Sequence, residues 1–262
     1  MNWKWETTLD RRKFIGIAAG SIAATLERSA SVAESARRSP IGAIAFDAFV
    51  ILDPRPVFAL AEKLFPGKGT DLSNAWRARQ FEYTWLRTAG ERYDGFWQVT
   101  EDALVFAARS LKLDLDAQRR ERLMNAFLRL NAWPDVPETL KALKTSGVRL
   151  AFLSNFSHRM LEAGIQNSGL NGAFEHLLST DAVKQFKPAP RAYQMAVDAF
   201  RLPKEEILFV AFAGWDVAGA KWFGFPTVWM NRAGAPAEEL SVVPDFVCKD
   251  LPSLAGFVTP DR

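Results

Sequence analysis

Ile41-Gly42-Ala43-Ile44-Ala45-Phe46-Asp47 is a short apolar run closed by a carboxylate. A run this short without polar alternation reads as a parallel strand buried on both faces. Two later runs repeat the form. Val148-Arg149-Leu150-Ala151-Phe152-Leu153 ends in Ser154-Asn155, and Ile207-Leu208-Phe209-Val210-Ala211 leads to Trp215-Asp216. Each follows a helical pattern and a turn: Pro137 to Thr145 then Gly147, and Arg191 to Phe200 then Pro203. His176 to Ser179 and Pro226 to Met230 are further strand candidates. Strands alternating with helices predict an α/β fold, a Rossmann-like parallel sheet with helices on both faces.

Residues 55–133 break the alternation. Val57 to Leu64, Leu72 to Leu86, Phe96 to Leu111 and Ala117 to Leu130 carry helical periodicity, with no strand among them. This block reads as an all-helical cap inserted into a core made of residues 41–54 and 134–260. The cap would cover the carboxyl edge of the sheet, where open α/β sheets bind ligands.

The chain has 262 residues, 48% of them hydrophobic and 24% charged, which suffices for one sizeable core. Its net charge of +3 is concentrated at the start, where the first 33 residues hold five Lys or Arg against three Asp or Glu. The remainder has no basic excess, so nucleic acid is not an expected partner. Cys248 is the only cysteine, which excludes an intramolecular disulfide. Residues 1–36 read as an export signal. Arg11-Arg12 precedes a mild apolar stretch from Ile15 to Leu26, and Ser31-Val32-Ala33 offers a cleavage site. The stretch is too short to span a membrane, so no stable span is expected after processing. The arginine pair resembles a bacterial twin-arginine signal, which implies the periplasm.

Polar residues cluster at the strand ends. Asp47, Ser154-Asn155, Lys187 (in Phe186-Lys187-Pro188) and Asp216 should meet at one rim of one sheet. A carboxylate facing an ammonium group and a second carboxylate suits nucleophilic catalysis. The ammonium would hold Asp47 ionised, and the second carboxylate could deprotonate a water. Singly, each of these residues is equally at home as a helix cap or as a charge on a solvated face.

With these residues in this order, the sequence resembles the haloacid dehalogenase superfamily, and within it the L-2-haloacid dehalogenases. The resemblance spans about Ile41 to Val258. Its most specific stretch is Trp76-Arg77-Ala78-Arg79-Gln80-Phe81-Glu82-Tyr83-Thr84-Trp85-Leu86-Arg87. The resemblance implies a two-step hydrolysis of short 2-halocarboxylic acids. Asp47 displaces halide to form an ester, and water then releases a 2-hydroxy acid of inverted configuration. It further implies Lys187 as charge partner and Asp216 as holder of the water. Ser154 would bind the substrate carboxylate, and Asn155, Arg77 and Trp215 would cradle the halide. Tyr193 would stand near the site among the residues that bind substrate or halide, and the protein would be a homodimer through the cap helices. No metal or cofactor is implied, because halide leaves unprotonated. Phe49 stands where the superfamily's phosphatases carry a second Asp, which disfavours phosphoryl transfer.

The chain also departs from the family pattern. Val50 and Ile51 replace a Gly-Thr pair, Phe156 replaces a Gly, and Ala211 and Ala213 replace Ser and Asn. A Val would resist the positive φ that a Gly accepts. The polar surroundings of the site are thus replaced by apolar bulk. Two outcomes follow: a smaller, drier pocket, or a binding protein without turnover. Retention of Asp47, Arg77, Ser154, Asn155, Lys187 and Asp216 together favours the first. A phosphatase would show itself by magnesium-dependent phosphate release.

Overall fold

The computed structural model describes residues 41–258. The segment read as an export signal lies outside them. Six parallel strands form one sheet in the order β3-β2-β1-β4-β5-β6. They are β1 (Ala43–Phe46), β2 (Arg149–Ser154), β3 (His176–Ser179), β4 (Ile207–Ala211), β5 (Thr227–Met230) and β6 (Phe246–Cys248). The α/β reading holds, and the two longest apolar runs after β1 became β2 and β4. β6 was not foreseen in the sequence. It is three residues long, sits at the edge, and leaves Val247 half exposed, so it lacks the long apolar run that a buried strand shows.

The two faces of β1 feed two hydrophobic clusters. Ile44 and Phe46 join the larger one, while Ala43 and Ala45 join the other, as the two-residue period of a strand requires. Helices α1 (Ala48–Ile51), α2 (Arg55–Leu64), α3 (Gly69–Ala89), α4 (Phe96–Ser110) and α5 (Ala117–Ala126) follow β1 directly. A 3-10 turn, Phe127–Arg129, closes α5 earlier than its apolar periodicity suggested. α3 and α4 are joined by buried polar contacts as well as by apolar packing. Trp76 Nε1 donates to the Thr100 carbonyl at 2.7 Å, and Gln80 Nε2 to Thr100 Oγ1 at 2.6 Å. Such satisfied buried polar groups fix one helix register over its alternatives.

The remaining helices are α6 (Val136–Thr145), α7 (His158–Asn167), α8 (Pro190–Phe200), α9 (Gly214–Phe223) and α10 (Leu251–Val258). α8 and α9 cover the face of Ala43 and Ala45. Their close approach depends on Gly219, where a Cβ would collide with the Tyr193 hydroxyl and with Pro188. Among the described residues, no helix is long and apolar enough to cross a membrane.

Candidate active site

β1 and β4 are central neighbours, so their carboxyl ends deliver Asp47 and the Ala211–Asp216 turn to one place. Asp47 leaves β1 with its N–H bonded to the Val210 carbonyl at 3.0 Å. It then caps α1, with Oδ2 accepting from the Phe49 N–H at 3.1 Å. α1 is a right-handed turn, and Val50 and Ile51 are buried in it with no positive φ. The strain expected of Val50 therefore does not arise.

Lys187 bridges two carboxylates. Its Nζ lies 2.8 Å from Asp47 Oδ1 and 2.5 Å from Asp216 Oδ2, and its side chain is 1% exposed. A buried ammonium survives only when so paired. Burial alone would push Lys187 down, but the two carboxylates outweigh it and hold the ammonium above its usual range. Asp216, in the first turn of α9, is equally buried. Burial raises it to about 6, against the opposing pull of Lys187. Tyr193, expected at the substrate, is instead fully buried behind the site. Its hydroxyl donates to Asp216 Oδ1 at 2.7 Å, and burial and that carboxylate keep the phenol well above its ordinary pKa. It touches Asp216 and lines no part of the cavity.

The groups after β2 are oriented by local hydrogen bonds. Ser154 Oγ accepts from the Phe156 N–H at 3.2 Å, which leaves its own proton free to donate. Asn155 Oδ1 accepts from the Lys187 N–H at 3.0 Å and from the Thr180 hydroxyl at 3.4 Å, so its Nδ2 donor is uncommitted. Thr180 escaped the sequence reading, since nothing marks a buried Thr in a turn.

Asp47, Ser154, Asn155 and Lys187 share one cavity of about 30 Å³, enough for a water or two. Aromatic rings close the rest of it. Phe49 and Phe156 meet edge to face at 5.1 Å, and Phe81 meets Trp215 at 5.2 Å. Phe81 carried no assigned role within the Trp76 to Arg87 stretch. Trp215 lines the cavity as expected, and its Nε1 is a buried donor without a partner. An N–H left this way costs free energy unless something in the site accepts from it. Arg77 is different. It is exposed and lies one helical turn before Phe81, outside the cavity and without an ion pair or hydrogen bond. α3 buries Trp76, Gln80 and Thr84, and position 77 shares the helix face of Phe81. A larger hollow of about 420 Å³, beside Tyr83 and Phe106, holds none of the strand-end groups and is open to solvent.

A partly buried carboxylate, an ammonium, a buried second carboxylate and donors around an apolar space can attack an electrophilic carbon and receive a departing anion. Known proteins agree with this chemistry. Residues 17–224 match the family model described as haloacid dehalogenase-like hydrolase. The (S)-2-haloacid dehalogenase of Pseudomonas sp. (strain YL) is 45% identical over 207 residues, 79% of this chain and 89% of that protein. The crystal structure of an L-2-haloacid dehalogenase superposes with a TM-score of 0.82 at 44% identity, covering 84% of this chain and 99% of the other. The L-2-haloacid dehalogenase of Xanthobacter autotrophicus, solved with chloropropionic acid covalently bound, gives 0.76 at 33% identity, covering 83% and 98%. The chain belongs to the haloacid dehalogenase-like hydrolase family.

Proposed function

We propose that the protein hydrolyses short L-2-haloacids to 2-hydroxy acids through an ester on Asp47. The observation that carries this reading is the Asp47–Lys187–Asp216 bridge at a small, aromatic-lined cavity. The names of relatives up to 45% identical support the same reaction. In the first step an Asp47 oxygen attacks C2, the carbon–halogen bond breaks, and halide leaves with the bonding electrons. Lys187 Nζ, 2.8 Å from Asp47 Oδ1, holds the nucleophile aligned. Ser154 donates to the substrate carboxylate, and Trp215 Nε1 and Asn155 Nδ2 donate to the halide. Arg77 completes the anion site by reaching over Phe81.

In the second step water attacks the Asp47 carbonyl carbon. Its proton passes to Asp216, whose raised pKa of about 6 makes it a better base than an ordinary carboxylate. Collapse of the tetrahedral adduct expels the alkoxide of the hydroxy acid, which takes that proton back from Asp216, and the second water proton leaves the Asp47 carboxyl group for solvent. Asp216 stands behind Lys187 rather than in the cavity wall, so water must reach that pair.

Halide release from chloroacetate and from L- and D-2-chloropropionate, with Asp47→Asn as control, tests this reading. Release by the wild type and none by the variant is expected. Release by neither sinks it. Two subsidiary proposals accompany it. Residues 1–36 direct export to the periplasm, which an N-terminal sequence of the mature protein starting at Met1 would refute. The exposed Trp85, Leu86 and Phe106 on α3 and α4 support a homodimer through those helices, which a monomeric mass in solution would refute.

A further inference from the structure

The departures that remove polar groups from this site also set its size. Phe156 stands two residues beyond Ser154, and its N–H bonds the Ser154 hydroxyl oxygen at 3.2 Å. Phe49 stands two residues beyond Asp47, and its N–H bonds Oδ2 at 3.1 Å. Their rings meet edge to face at 5.1 Å, and Phe212 leans on Phe49 at 5.8 Å. The pair therefore spans the gap between the nucleophile loop and the loop of the carboxylate-binding hydroxyl. That gap is where C2 of a haloacid bound to both would sit.

Phe156 is the firmly held member of this wall. Phe156 is 2% exposed and is packed by Phe96 at 5.5 Å and Phe127 at 6.1 Å within the main core. Interiors packed to this degree do not yield a methyl-sized space without cost. The other rings, Phe49, Phe212, Phe81 and Trp215, are only partly buried. The cavity is thus fixed chiefly at Phe156, beside the place C2 would take.

We infer that Phe156, with Phe49 and Phe212, restricts the protein to two-carbon haloacids by excluding a substituent on C2. The inference rests on the dehalogenase reading and narrows it to haloacetates. A mismatch of one methylene in a pocket typically separates substrates by about 10–200-fold. A preference of at least tenfold in kcat/KM for chloroacetate over L-2-chloropropionate is therefore expected, with L-2-chlorobutyrate poorer still.

The test is halide release from these three acids by the wild type, Phe156→Ala and Phe212→Ser, with folding checked by circular dichroism. Phe212→Ser guards against the first variant failing to fold, since Phe212 lies at the partly exposed edge. The expected result is the wild-type preference, shrunk by about tenfold in the folded variants. Equal or faster turnover of L-2-chloropropionate by the wild type overturns the inference. A wild-type preference that neither folded variant alters overturns the role of these rings. Release from none of the three acids overturns the dehalogenase reading, and this inference falls with it.

Discussion

Lys187 Nζ lies 2.5 Å from Asp216 Oδ2, and neither side chain is more than 2% exposed. The second step thus depends on a base whose charge is set almost wholly by its neighbours. Burial raises Asp216 to about 6, and Lys187 and Tyr193 both oppose that rise. The ionised form is the base, so ester hydrolysis should slow about tenfold per pH unit below about 6. Tyr193→Phe removes a donor that favours the ionised form, so this limb should move to higher pH. Single-turnover hydrolysis measured across pH 4–8 checks both statements.

The same shift affects stability with the opposite sign. The folded pKa of about 6 lies above the ordinary 3.8, so the folded state binds the extra proton between them. The contribution of Asp216 is complete below 3.8 and is lost as pH rises through about 6. Asp216→Asn should abolish that part of the decline in urea-denaturation midpoints.

Removing the ammonium leaves two carboxylates facing each other, one of them wholly buried. Lys187→Met should destabilise the fold by about 3–5 kcal/mol at neutral pH, the usual cost of breaking a buried pair by deleting one partner. The loss should shrink in acid, where Asp216, raised to about 6, is protonated. Denaturation curves at pH 7 and pH 4 test this.

Trp215→Phe keeps the ring contacts to Phe81 and Trp85 at 5.2 and 5.6 Å but deletes the unpartnered N–H. The melting temperature should barely change, while kcat falls on the order of 10²-fold, as for loss of one donor to a developing anion. An unchanged kcat would assign that N–H no part in the reaction.

Arg77 is exposed and unpaired, so Arg77→Ala should alter stability by no more than about 0.5 kcal/mol. If the arginine folds over Phe81 onto the anion, kcat/KM should fall by about 10–100-fold, the worth of a charge-assisted hydrogen bond. Unchanged kinetics would leave it a solvated residue of α3.

Which parts of this arrangement could be read in advance follows from chemistry. β1, β2 and β4 are legible because a strand buried on both faces must be continuously apolar, and Asp47, Ser154, Asn155 and Asp216 stand out against that background. β6 is illegible because three half-covered edge residues carry no such pattern. Lys187 was visible from its neighbours in sequence, whereas the buried Thr180 and the ring of Phe81 depend on contacts between distant segments. Tyr193 was placed near the site correctly but on the wrong side of Asp216. A place in the first turn of α8, six residues after Lys187, fixes its neighbourhood and not its direction.

The most direct test of covalent catalysis by Asp47 is a single turnover of chloroacetate, with enzyme in excess, in water enriched in oxygen-18. Attack of water on the Asp47 carbonyl carbon leaves the label in the carboxylate of Asp47 and none in the glycolate, as read by mass spectrometry of the peptide and the product. Labelled glycolate with an unlabelled Asp47 peptide would mean that water attacks the substrate carbon directly, and would contradict the ester.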